Sequence, residues 1–246
     1  MKLINTQRVS VVLAAALVPA LVSMSGAVLA ATGTVSQLSG TLSVQKADGS
    51  VRILSQKSGI ENGDTLNTQR DSYAQIKFPD GAQITLKPNT SVKIERFNFV
   101  ENQPQQDSFL YGLVKGGLRA VTGLVGKRGN PDAYKVGTAT ATIGIRGTTF
   151  GTDDCTGPAA GQGPCQGLQE AVYVSVSDGE VIASNNAGSV NYLAGQFGAI
   201  ESRDRLPRFL STDPGLQFTP PASFIQSITG GTAVNSGKSM ECVVRR

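Results

Sequence analysis

The acidic residues Asp64, Asp71, Asp80 and Asp178 could in principle act in pairs as general acid and base. Most sit at turns, where aspartate is favoured because its carboxylate accepts hydrogen bonds from nearby backbone N–H groups. Turn chemistry accounts for them without catalysis. The sequence contains no histidine. That removes Ser-His-Asp and Cys-His nucleophile systems and the commonest transition-metal ligand. Ser-Lys and paired-carboxylate mechanisms survive only in principle. Asp153-Asp154, beside a Gly-rich stretch, offers oxygen ligands for calcium but lacks the regular acidic spacing of calcium loops, and a solvated loop tip is the simpler reading. Gly144-Ile145-Arg146-Gly147-Thr148 has the look of a phosphate cradle. It lacks the Gly-Lys-Ser/Thr ending and is not set between a strand and a helix. We therefore expect no enzyme activity, no cofactor and no metal.

The same segment reads better as structure. Ile143 and Ile145 share one face of a strand, so Arg146 points the other way. Arg146 is expected to fasten the fold through a carboxylate or backbone carbonyls, with Gly147 allowing a sharp bend before Thr148. Lys77, Lys87 and Lys93 fall on the polar faces of their strands and could form a basic stripe toward an anionic envelope polymer. Ordinary solubilising charge explains them more simply, because Glu95 shares the face of Lys93.

Export is the frame for these readings. Lys2 and Arg8, an apolar stretch from Val9 to Val22, and Val28-Leu29-Ala30 follow the order of a secretory signal peptide, cleaved between Ala30 and Ala31. The apolar run falls short of the ~20 residues that span a bilayer, so no stable membrane span is expected after cleavage. Of 22 basic and 18 acidic residues, two basic ones leave with the leader; 20 against 18 gives +2, too little to suggest nucleic-acid binding. Three cysteines enter an oxidising compartment. Cys155 and Cys165 can close a short loop, which is the favoured pairing; a bond from Cys242 to either, or three free thiols, are the alternatives. One cysteine pair without histidine does not make a four-ligand zinc site.

The elements that would position these residues are strands. Thr41 to Gln45 alternates polar and apolar, then Asp48-Gly49 leads into Val51-Arg52-Ile53-Leu54. Tyr73 to Phe78 leads through Asp80-Gly81 into Gln83 to Leu86, and Val172 to Val176 leads through Asp178-Gly179 into Val181-Ile182. Three such units predict hairpins with Asp-Gly turns and one face buried. Residues 109–130 read as strands with glycine bends, and 102–107 as a loop. With no crossover helices, the expected fold is all-β: a solenoid-like roll of short strands, or alternatively a β-sandwich. The divisions are residues 1–30 as signal peptide, 31–203 as β domain and 204–246 as a Pro/Gly-rich extension, with a short helix expected at 222–228.

Three segments together resemble the FecR-domain family. They are Gly63-Asp64-Thr65-Leu66-Asn67-Thr68; Phe78-Pro79-Asp80-Gly81 running to Lys87-Pro88-Asn89-Thr90; and Gly116-Gly117-Leu118-Arg119-Ala120 followed by Thr138 to Phe150, with Arg146-Gly147-Thr148 inside it. The resemblance covers about 42–197. It implies an all-β roll and a periplasmic role. Members of the family include sensor domains that relay receptor occupancy to an anti-sigma region, and free exported proteins. This chain shows no anti-sigma segment before its apolar stretch and no second α/β domain after the roll. The expectation is a stand-alone exported, non-enzymatic module that contacts an envelope protein or a cell-wall polymer. A component of envelope signalling is the alternative.

Overall fold

The computed structural model describes residues 31–128, 130–216 and Phe224. The expected signal peptide, Cys242 and nearly all of the expected helix at 222–228 lie outside these residues. The elements are all strands apart from short 3-10 turns. In chain order they are β1 (Gly33–Ser39), β2 (Leu42–Gln45), β3 (Val51–Leu54), β4 (Gly59–Ile60) and β5 (Thr65–Thr68). Then come β6 (Tyr73–Lys77), β7 (Gln83–Leu86), β8 (Ser91–Asn98), β9 (Ser108–Val121) and β10 (Tyr134–Gly137). The last five are β11 (Thr142–Asp154), β12 (Val172–Asn185), β13 (Gly188–Leu193), β14 (Phe197–Ile200) and β15 (Arg208–Leu210).

All fifteen strands belong to one open sheet, in which one run of neighbours is β15-β14-β12-β11-β10-β9-β7-β6-β1-β4. Every pairing is antiparallel except β9 with β10, which is parallel. The fold is therefore all-β, as the hairpin pattern predicts. The long β9 pairs with β7, β8, β10 and β11, so the sheet turns around it and brings distant strands over a common interior. Val35 of β1, Phe109 of β9 and Ile200 of β14 share one apolar cluster as a result. Its centre is aromatic: Phe109 stacks on Tyr134 with ring centroids 4.9 Å apart, and Phe78 and Phe97 pack around them. Burying each such ring contributes about 1.5–3 kcal/mol from area alone.

The turns at Asp48-Gly49 and Asp80-Gly81 close hairpins as expected, β2 with β3 and β6 with β7. Asp178-Gly179 does not. It lies within β12, which runs on past it and stays paired with β11 on both sides. The register shifts between Arg146 and Thr149, at the level of Gly179. Gly179 has φ +78°, and a Cβ there would sit 2.3 Å from the carbonyl oxygen of Gly147. The dipeptide thus makes a bulge that bends two long strands together, and a bulge needs the same backbone freedom as a turn. Past Arg203 the chain remains in the sheet, since β15 pairs with β14.

Candidate functional site

Strand alternation gives the sheet two faces, and the face turned away from the apolar cluster carries the polar groups. On it, two adjacent rows of residues cross the strands. The first runs from Lys87, just past β7, over Gly117 of β9 to Asp153 of β11, then Tyr173 of β12 and Ala199 of β14. The second runs from Thr85 of β7 through Arg119 of β9, Gly151 of β11 and Ser175 of β12 to Phe197 of β14.

In the first row the Lys87 ammonium donates to both Asp153 oxygens, at 2.7 and 2.9 Å, and to the Leu216 carbonyl at 2.7 Å. Gly117 makes this bridge possible: a Cβ there would lie 1.9 Å from an Asp153 oxygen and 3.1 Å from the Lys87 stem. Burial pushes the Asp153 carboxyl above its ordinary range, outweighing the Lys87 charge that pulls it down. The pair is covered by a second apolar cluster of Cys155, Cys165, Ala171, Tyr173, Ala199 and Leu216. Cys155 and Cys165 form a disulfide within it, with Cα atoms 5.5 Å apart. Two expectations are corrected here. Lys87 is buried and paired rather than part of a solvent-facing stripe with Lys77 and Lys93, both of which are exposed. Asp153 and Asp154 are buried at the end of β11 rather than at a solvated loop tip.

In the second row a cleft of about 210 Å³ opens over Gly151. Arg119, Ser175, Ser177, Phe197, Lys87 and Leu216 contribute to its walls. Arg119 and Ser175 are half-buried. Among the described residues, the Arg119 guanidinium has no hydrogen bond or ion pair and neither serine hydroxyl has a partner. Half-burying a guanidinium without an acceptor is unfavourable unless a ligand or water supplies one.

The other motif residues hold the strand bend. The Thr148 hydroxyl donates to the Asp178 carbonyl, the Thr148 N–H to the Thr122 hydroxyl at 2.9 Å, and the Gly147 N–H to the Gly126 carbonyl at 2.9 Å. Asp80 caps its own turn by accepting from Ala82 N–H at 2.9 Å and also from Val125 N–H at 3.2 Å. Burial raises the Asp80 carboxyl above its ordinary range. Gly81 has φ +89°, the left-handed conformation that the turn requires. Asp64 accepts from Lys46 and from the Glu61 N–H, again as a structural anchor. Arg146 departs from the expected fastening role. It is exposed, and its side chain makes no hydrogen bond or ion pair among the described residues. It points away from the core, as strand alternation requires, and lines a groove of about 300 Å³ with Asp132, Lys135, Thr142 and Ser184. Thr148 and the Gly147 backbone do the fastening.

Sequence reasoning missed Arg119 as a site residue. Its signal was present but faint: a charged residue between the core positions Leu118 and Ala120 must face outward. Among the described residues no group of acidic, cysteine and histidine side chains is arranged to hold a metal, and no helix is long and apolar enough to cross a membrane.

An all-β sheet with a fastened row beside an unfastened one is the class that the fold defines. Residues 64–182 match the FecR protein family. The matched span includes Lys87, Gly117, Arg119, Arg146, Gly151, Asp153 and Ser175. Two crystal structures of a proposed anti-sigma factor from Parabacteroides distasonis ATCC 8503 are similar at 17% and 14% identity, with TM-scores of 0.44 and 0.43. Each match covers 61% of this chain and 60% of that one, so the chain spans about 60% of the length of these structural relatives. A cell surface anchoring domain matches at 28% identity and a TM-score of 0.25, over 26% of this chain and 83% of that one. A search of curated proteins finds no match.

Proposed function

We propose that this chain is an exported, non-enzymatic protein of the bacterial envelope whose FecR-domain sheet works as a contact module for an envelope protein or a cell-wall polymer. The observation that carries this reading is the cleft over Gly151, where the Arg119, Ser175 and Ser177 side chains converge without partners among the described residues. The buried acids that general acid–base chemistry would recruit are engaged elsewhere: Asp153 with Lys87, Asp64 with Lys46, and Asp80 with backbone N–H groups. The groups left open are donors suited to recognition. Export rests on the leader pattern of residues 1–30 and on the Cys155–Cys165 disulfide, a bond that persists in oxidising compartments.

The test is a photo-crosslinking residue at Ser177 in living cells, with fractionation and N-terminal sequencing of the recovered protein. A discrete adduct in the envelope fraction, with a mature N-terminus at Ala31, is expected. No adduct, an intact leader, or turnover of peptidoglycan or polysaccharide by the purified protein overturns the reading. The FecR match favours a second reading, a signalling component that relays envelope state to a membrane partner. Deletion that changes neither transcription nor second-messenger level excludes it.

A further inference from the structure

The two rows on the polar face are built alike. Each places a long cationic side chain on one strand, a glycine on the next and a polar residue on the one after. In the first, Lys87 passes over Gly117 and meets Asp153. In the second, shifted by one strand, Arg119 faces Gly151 and beyond it Ser175. The floor is again tight, since a Cβ on Gly151 would lie 2.7 Å from the Ser175 hydroxyl. The second row is the first without its carboxylate. We propose that the carboxylate is supplied by a ligand: the cleft over Gly151 binds a carboxylate group of a partner peptide, with Arg119 as the recognition residue. This rests on reading the sheet face as a contact surface.

The chemistry fits one acidic group on a short alkyl stem. A guanidinium presents two parallel N–H donors that match the two oxygens of a carboxylate. Ser175 and Ser177 can each donate one further hydrogen bond to those oxygens. Phe197 and Leu216 line the same cleft and give the stem an apolar wall. At about 210 Å³ the cleft is smaller than the roughly 300–1,000 Å³ of sites that enclose a whole small molecule. It takes one group of a larger chain. A sugar ring carries hydroxyls around its rim and would need more partners than two serines provide, which favours peptide over polysaccharide.

The test titrates the full chain with four probes, followed by NMR shift changes or calorimetry. They are acetyl-Glu-Ala-Leu-amide, acetyl-Ala-Ala-Leu with a free C-terminus, acetyl-Ala-Ala-Leu-amide, and trigalacturonate. The first two distinguish a side-chain carboxylate from a chain terminus. At least one is expected to bind tenfold or more tightly than the amide, and Arg119→Gln should remove that difference. Gly151→Ala should also remove it while keeping the charge. Equal binding of the amide, no binding of any peptide, unchanged affinity in both variants, or binding of trigalacturonate alone overturns the inference. Envelope crosslinking from Ser177 that survives Arg119→Gln overturns the carboxylate inference alone; absence of any crosslink overturns the reading beneath it.

Discussion

Lys87 and Arg119 stand on neighbouring rows of one sheet face and differ in what lies beyond the adjoining glycine. Lys87 finds an acid, a carbonyl and a cover of apolar side chains. Arg119 finds a serine and an open cleft. The difference separates a cation spent on holding the fold from one left for contact. Paired, covered charge is costly to disturb because removing one partner strands the other in a poorly solvated place. An unpaired, half-exposed charge can be removed with little consequence for folding.

The strongest break in this comparison is Asp153→Leu. Leaving the Lys87 ammonium buried without its acid should cost about 3–5 kcal/mol, read as a lower denaturation midpoint. The double variant Lys87→Met with Asp153→Leu should recover most of that loss, because neither charge is then stranded. Next comes Gly117→Ala, which pushes a methyl group into the ion pair and should cost about 1–3 kcal/mol, whereas Gly151→Ala should cost less because the Ser175 hydroxyl can rotate away. Equal losses in the two alanine variants would erase the distinction between the rows.

Thr152, between Gly151 and Asp153, gives a smaller effect of opposite sign. Its side-chain oxygen is buried toward the interior with no hydrogen-bond partner among the described residues. Thr152→Val should raise stability by about 1 kcal/mol by removing that unpaired group. The smallest effects belong to Arg119 and Arg146, whose side chains have no partner among the described residues. Arg119→Gln and Arg146→Lys should each change stability by about 0.5 kcal/mol or less. A clear drop in melting temperature for Arg146→Lys would restore the fastening role that the sequence suggests.

The same comparison has a pH signature. The Asp153 carboxyl is raised by burial above the ordinary 3.8, so the folded state holds its proton more tightly than the unfolded chain does. The stability from this group is fully present below pH 3.8 and is lost as pH rises through the raised value. Asp80, also raised by burial, contributes a slope of the same sign. Denaturant unfolding across that window should show the Asp153 part of the slope vanish in the Lys87→Met, Asp153→Leu double variant while the Asp80 part remains. An unaltered slope would mean that Asp153 titrates as an ordinary carboxyl.

The sequence alone determined the fold class, because period-two alternation and short Asp-Gly links leave no room for helices. It located two hairpin turns, favoured the disulfide that forms, and placed Arg146 away from the core. The Asp178-Gly179 dipeptide reads as a hairpin in the sequence because a turn and a bulge ask for the same residues; only pairing on both sides identifies the bulge. Lys87 and Asp153 are 66 positions apart, and alternation states only that neither faces the interior. Whether an outward side chain meets water, an acid or a second layer depends on strand order and on which remote segment crosses above it. Those are long-range contacts, and no local pattern carries them; the tertiary structure alone decided that Lys87 is enclosed and that the Arg119 side chain has no partner among the described residues.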